Sequence, residues 1–226
     1  MITLKYDKKG ALAYVSHIDL LRHMERTLRR ADLPVRYSQG FNPHMLVNLG
    51  ITLPLGVASL CEYVTVDVDC TPEVFLERYN GACPEGLVGS ACWQVEKNPN
   101  LAGVVVAADY RFEGDLGDRA PLVGALAGRA QYEIDYPTKK DAEARKDVAP
   151  LLYALKADPC GVDVCMAAGN ITVRPQLLAD AIAAEFGVTF ATGGITRRCQ
   201  YVRTPEGALL EVDAWLDALS SARAHV

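Results

Sequence analysis

The sequence predicts an α+β protein built from two tandem ferredoxin-like units. Three observations predict this. Hydrophobic alternation gives way to a 3.6-residue period and returns, in the order strand, helix, strand, strand, helix, strand. The stretch KNPNLAG at 97 to 103 then breaks the pattern with turn formers, and the same order of elements recurs approximately beyond it. The units are therefore drawn as residues 1–100 and 101–226, the second with a helical insertion and a C-terminal helix. With 226 residues, 50% of them hydrophobic, the chain can bury one large core or two small ones.

In the first unit Ile2, Leu4 and Tyr6 alternate with polar residues as a strand. Gly10 interrupts it, and Leu12 to Val15 resumes an extended run. Ser16, with Asp19 three positions on, makes a capping-box-like start for the helix HIDLLRHMERTLRRAD. Pro34 ends that helix, and VRYSQ and MLVNLGITL read as extended segments on either side of a Gly-Phe-Asn-Pro turn. EYVTVDVD at 62 to 69 alternates as a strand. TPEVFLERYN begins a helix with a Thr cap and Pro at the first helical position, and LVGSACWQVEK closes the unit as a strand.

Beyond the boundary, VVVAADYRFEG is strand-like, APLVGALAGRA helical and QYEIDYP a strand. DVAPLLYALKAD reads as a short inserted helix, VDVCMAA as a strand, RPQLLADAIAAEF as a helix and FATGGITRRCQYVR as the last strand. EVDAWLDALSSA follows as an amphipathic helix. The two halves repeat in topology only, with no internal match of sequence.

The N-terminal MITLKYDKKG carries charges where a signal peptide needs an apolar stretch, and the longest apolar run, LAGVVVAA, is too short to span a bilayer. A cytoplasmic protein with no membrane contact is expected. Seven cysteines include no C-x-x-C and no closely spaced Cys/His set, which argues against a structural zinc site, a redox dithiol or a locally held iron–sulfur cluster. Cys61, Cys92 and Cys165 lie in apolar strands and read as buried, reduced thiols.

A net charge of −5 and a pI near 5.4 argue against a protein that binds nucleic acid with its whole surface. The distribution is uneven, however. Residues 1–46 hold Lys5, Lys8, Lys9, Arg22, Arg26, Arg29, Arg30 and Arg36 against Asp7, Asp19, Glu25 and Asp32, so an anionic partner would meet this part.

Within it, Ile18, Leu20, Leu21, Met24, Leu28 and Ala31 fall on one side of the first helix, and Arg22, Arg26, Arg29 and Arg30 on the other. The arginines read either as an ordinary solvated face or as a contact for phosphate or an acidic partner. His17, on the apolar side of the first turn, reads as a strand-contacting or a catalytic residue, and His23 as an exposed one. In SQGFNPH, residues 38–44, Gly40 and Asn42-Pro43 suit a tight turn, while Gln39, Asn42 and His44 offer donors and acceptors. Phe41 either stacks on a base or pins the loop to the core. ATGGITRRC at 191 to 199 sets two glycines before Arg197 and Arg198, but it lacks the phosphate-loop pattern and reads as a bulged hairpin.

Three segments in order, G-x-L-x-x-x-S-H-x-D-L at 10–20, Y-S-Q-G-F-N-P-H at 37–44 and L-P-L-G-V at 53–57, resemble the N-terminal signature of the radical SAM-linked bacterial domain of unknown function. KDVAPLL at 146–152 resembles a weaker internal motif of the same family. The motif residues that carry over are Ser16, His17, Asp19, Gln39, Gly40, Phe41, Asn42, Pro43 and His44. Where the family pattern continues with a proline and a basic residue, this chain has Met45 and Leu46, which removes a cation after His44.

The resemblance implies a radical SAM enzyme as partner and RNA as a target, and tandem ferredoxin-like units resemble those of RAMP-type RNA-processing proteins. No C-x-x-x-C-x-x-C is present, so no cofactor is expected in this chain. In the leading expectation Arg22, Arg26, Arg29 and Arg30 hold phosphate, Phe41 stacks on a base, and Gln39, Asn42 and His44 position it. One alternative is an RNA-processing enzyme using His17 and His44 as an acid/base pair, or with Asp19 as metal ligands. Another is a protein adaptor whose arginine face docks an acidic partner without RNA.

Overall fold

The computed structural model describes residues 1–221. In chain order its elements are β1 (Ile2–Lys8), α1 (His17–Arg30), β2 (Val47–Leu49), β3 (Ala58–Val66), α2 (Pro72–Ala82), β4 (Gly89–Gln94) and the single-turn α3 (Leu101–Val104). They continue with β5 (Val105–Asp115), α4 (Ala120–Gly124), β6 (Glu133–Asp135), β7 (Arg145–Asp147), β8 (Leu152–Asp158) and β9 (Gly161–Ala167). α5 (Pro175–Phe186), β10 (Thr189–Arg203), β11 (Leu209–Glu211) and α6 (Val212–Ser221) complete the described chain. The protein is thus mixed α+β, in two compact units: Met1–Val105 with the chain from Tyr201 onward, and Val106–Gln200. No helix among the described residues is long and apolar enough to cross a membrane.

The first unit has the strand order β4-β1-β3-β2, antiparallel at every pair, with Ile2 opposite both Val66 and Gln94, and Val47 opposite Val66. Because successive strand side chains point to opposite faces, Ile2, Leu4 and Tyr6 join Val64 and Val66 on one face, where Leu20, Met24 and Leu28 of α1 and Phe75 and Tyr79 of α2 cover them. Each such side chain contributes roughly 1.5–3 kcal/mol relative to exposure. Tyr79 satisfies its buried hydroxyl on the Leu87 carbonyl at 2.9 Å. On the opposite face the hydroxyls of Thr3 and Thr65 meet at 3.0 Å. There Asp213 of α6 accepts from the Tyr63 hydroxyl at 2.7 Å and pairs with Lys5, and one turn on Asp217 accepts from the Trp93 indole N–H at 2.7 Å. The C-terminal helix, assigned by sequence order to the second unit, belongs with the first because the strands of the first carry its polar partners.

The second unit has the strand order β10-β5-β9-β8. Tyr110 and Phe112 face the same side as their register partners Val164 and Val162, all four buried. The other side carries Arg111, which donates to Asp158 at 2.6 and 3.0 Å and to Asp163 at 3.0 Å, while Arg198 donates to Asp163 at 3.0 Å. β6 and β7 form a separate hairpin whose flanking Tyr136 lies under the Arg174 guanidinium at 4.0 Å.

Three segments depart from their local pattern. Leu12–Val15 does not continue a strand: Gly10 takes φ +62° and residues Gly10–Tyr14 form a 3-10 turn. VRYSQ and MLVNLGITL are extended, but only Val47–Leu49 pairs regularly, with isolated bridges at Val35–Val68 and Tyr37–Met45. DVAPLLYALKAD is no helix; a 3-10 turn at Ala149–Leu151 leads into β8, which pairs along β9. A strand neighbour with unpaired backbone groups overrides the helical preference of Leu and Ala there.

Candidate functional site

The segment SQGFNPH is a clamped loop. Arg36 N–H donates to Asp67 O at 2.8 Å and Leu46 N–H to Arg36 O at 3.0 Å, which brings the two arms together. Ser38 N–H donates to His44 O at 2.9 Å, His44 N–H donates to Ser38 Oγ at 3.1 Å, and the same Oγ lies 2.8 Å from His44 Nδ1. Gly40 sits at φ +128° with open space where a Cβ would be, so the backbone angle and not crowding calls for glycine. At the tip Gln39, Asn42 and Pro43 are exposed and the Phe41 ring is wholly so, at 111% of its reference area. Phe41 therefore does not pin the loop to the core.

Ser16 caps α1 by accepting from Asp19 N–H at 3.2 Å and donates its hydroxyl to the Asp19 carboxylate at 2.7 Å. Arg22 donates to the other oxygen at 2.9 Å. The hydrogen bond from Ser16, then that from Arg22, holds the Asp19 carboxyl below the usual range. Asp19 is a capping residue engaged on both oxygens, and among the described residues no group of three or more His, Cys, Asp or Glu is placed to hold a metal ion.

The arginines of α1 differ in their surroundings. Arg22 pairs with Asp19, Arg29 lies 3.7 Å from Glu25, and Arg30 donates to Thr27 Oγ1 at 3.2 Å and to Ala82 O at 2.9 Å, tying α1 to the end of α2. Arg26 is exposed and makes no ion pair among the described residues. Ile18, expected to face the core, is 65% exposed, as is Tyr14 nearby at 61%.

Lys8, unremarked in the sequence beyond its charge, is buried with 1% of its surface exposed and donates Nζ to Val15 O at 3.0 Å and Ala13 O at 3.3 Å. This ammonium fixes the turn that delivers Ser16 and His17. The same turn receives L-P-L-G-V: Gly56 N–H donates to Ala13 O at 3.0 Å, and a Cβ on Gly56 would meet the Tyr14 ring at 3.4 Å. The signal for Lys8 was available, because the alternation Ile2, Leu4, Tyr6, Lys8 places it on the buried face.

His17 itself is exposed and lines a cleft of about 290 Å³ with Asn48, Asn98, Asn100, Leu21 and Leu101. Asn48 is the register partner of Thr65, and Asn98 Oδ1 accepts from Asn100 N–H at 3.0 Å. His17 and Leu49 also bound a void of about 10 Å³ lined by Lys8 and Glu62. The three asparagines were hidden in an edge strand and in KNPNLAG, which reads locally as a mere boundary. His44, Gln39, Phe41 and Asn42 do not line this cleft, so His17 and His44 stand in different places. Burial pushes the Cys92 and Cys165 thiols up to about 12, so neither is a thiolate nucleophile near neutral pH. Arg197, grouped with Arg198 in the sequence, is buried and donates Nε to the Tyr110 hydroxyl at 3.0 Å.

These features define a mixed α+β protein whose first unit carries a presented aromatic loop and an open polar cleft. The chain belongs to a family described as an uncharacterized protein conserved in bacteria (DUF2344), whose model matches residues 1–177. The search of curated proteins found no match.

Proposed function

We propose that this chain is an RNA-binding module of two tandem ferredoxin-like units that presents RNA to a partner enzyme. The strand orders β4-β1-β3-β2 and β10-β5-β9-β8 support the tandem reading, each being fourth, first, third, second once the β6–β7 hairpin is taken as an insertion. The observation that carries the binding reading is Phe41: a whole aromatic ring held in solvent on a loop that Ser38 and His44 clamp shut. A ring that gives nothing to the core is suited to stack on an unpaired base, with Gln39 and Asn42 beside it as donors and acceptors. Arg26 and Arg29 on the outer face of α1 supply the phosphate contacts in this reading. The identity of the partner as a radical SAM enzyme rests on the resemblance of the three N-terminal motifs alone, and a cytoplasmic location goes with it.

The test is a titration of the purified protein with structured bacterial RNA at low and moderate salt, beside Phe41→Ala and the double variant Arg26→Glu/Arg29→Glu. Arg30 is left intact because it holds the Ala82 carbonyl. Binding that weakens with salt and falls in both folded variants supports the reading. No binding by the wild type, or binding that neither variant reduces, overturns it.

A further inference from the structure

The His17 cleft has a chemistry of its own. Asn48, Asn100 and His17 make no side-chain hydrogen bond within the described residues, and Asn98 is engaged there only through Oδ1, leaving its NH2. Three carboxamides and an imidazole thus offer donors and acceptors to whatever enters, while Leu21 and Leu101 offer apolar surface. No Lys, Arg, Asp or Glu is among the described residues that line it, so the cleft is built neither for phosphate nor for an ammonium group. Its volume of about 290 Å³ lies just below the roughly 300–1,000 Å³ of small-molecule sites. That is room for one ring system.

We infer that this cleft is a binding site for a single neutral planar heterocycle of the nucleobase class, recognised along its edge by Asn48, Asn98, Asn100 and His17. Carboxamides suit this ligand because Asn48 and Asn100 each present a donor beside an acceptor, the pattern that base edges carry, while Asn98 adds its NH2 as a donor. The inference goes beyond the Phe41 loop and the arginine face, and it stands whether the base comes from RNA or from a free nucleoside.

Adenosine, guanosine, cytidine and uridine, which carry no phosphate, are titrated against the full chain with amide chemical shifts as readout, with ribose as control. At least one nucleoside is expected to bind and to shift the amides of residues 48, 98 and 100–102, with ribose silent. Asn48→Leu, at an exposed edge-strand position, is expected to weaken that nucleoside about tenfold while the melting temperature holds, the loss of one or two hydrogen bonds to the ligand. His17→Gln, which keeps a donor and an acceptor, is expected to weaken it less. Displacement of the nucleoside by a single-stranded RNA of the same base assigns the site to RNA, and binding of the nucleoside without displacement assigns it to a free metabolite; both uphold the site. No binding by any nucleoside, equal binding of ribose, or affinity untouched in both variants overturns it.

Discussion

Ser38 and His44 bond to each other three times, backbone to backbone at 2.9 Å, His44 N–H to Ser38 Oγ at 3.1 Å, and Ser38 Oγ to His44 Nδ1 at 2.8 Å. The five residues between them form an exposed tip, which the clamp and the Arg36–Leu46 hydrogen bond behind it hold closed at its base. Ser38→Ala removes two of the three bonds. Global stability is expected to change by less than about 1.5 kcal/mol, as for an exposed side-chain hydrogen bond, while the His44 amide exchanges faster with solvent. An unchanged exchange rate would show that the backbone pairing suffices.

Phe41→Ala separates binding from folding. Since the ring is wholly exposed, the unfolding free energy should stay within about 0.5 kcal/mol of wild type. Affinity for single-stranded RNA should drop about 5- to 150-fold, the equivalent of one lost stacking contact of about 1–3 kcal/mol. Equal affinity in the two proteins would remove Phe41 from any binding role.

Lys8→Met tests the buried ammonium. It leaves the carbonyls of Ala13 and Val15 without this donor, at about 1–3 kcal/mol for each that stays unpaired. Urea denaturation should show a loss of at least about 2 kcal/mol, against a change within about 0.5 kcal/mol for exposed Lys9→Met. Similar losses in both variants would count against the special placement of Lys8.

The Arg111 guanidinium and then the Cys160 backbone N–H hold the Asp158 carboxyl down to about 2. In the unfolded chain the same group titrates at about 3.9. Its folded value is depressed, so its contribution is complete above the unfolded value and is lost as pH falls through about 2. The gap in denaturation midpoint between wild type and Asp158→Asn should be present near neutral pH and close on acidification toward pH 2. A gap that stays constant over that range would mean that Asp158 does not act through its charge.

Asp213 receives the Tyr63 hydroxyl and the Lys5 ammonium, and Asp217 the Trp93 indole. Asp213→Ala should loosen α6 and shift tryptophan emission, from Trp93 and Trp215, to the red, with a stability loss of about 1–3 kcal/mol. Unshifted emission with full stability would show that apolar packing alone holds the helix.

The sequence by itself determined the elements whose signals are local. Ser16 and Thr71 cap their helices because a hydroxyl three residues ahead of an orphan N–H is enough. The alternation of β1, β3 and β9 follows from the apolar side chains each strand sends to its core face, and the arginines on the outer side of α1 from its 3.6-residue period. Gly40, Asn42 and Pro43 announced the turn. What they could not announce was the fate of Phe41, since burial of a loop ring depends on which surface lies beneath it.

Only the tertiary structure decided the rest. β8 is a strand because β9 offers it a hydrogen-bonding edge, and Lys8 is buried because carbonyls 5 and 7 residues away turn back to meet it. Asn48, Asn98 and Asn100 share a cleft with His17 although they lie 31 to 83 positions from it in the chain. Adjacency between such distant residues is a property of chain topology, and no local period records it.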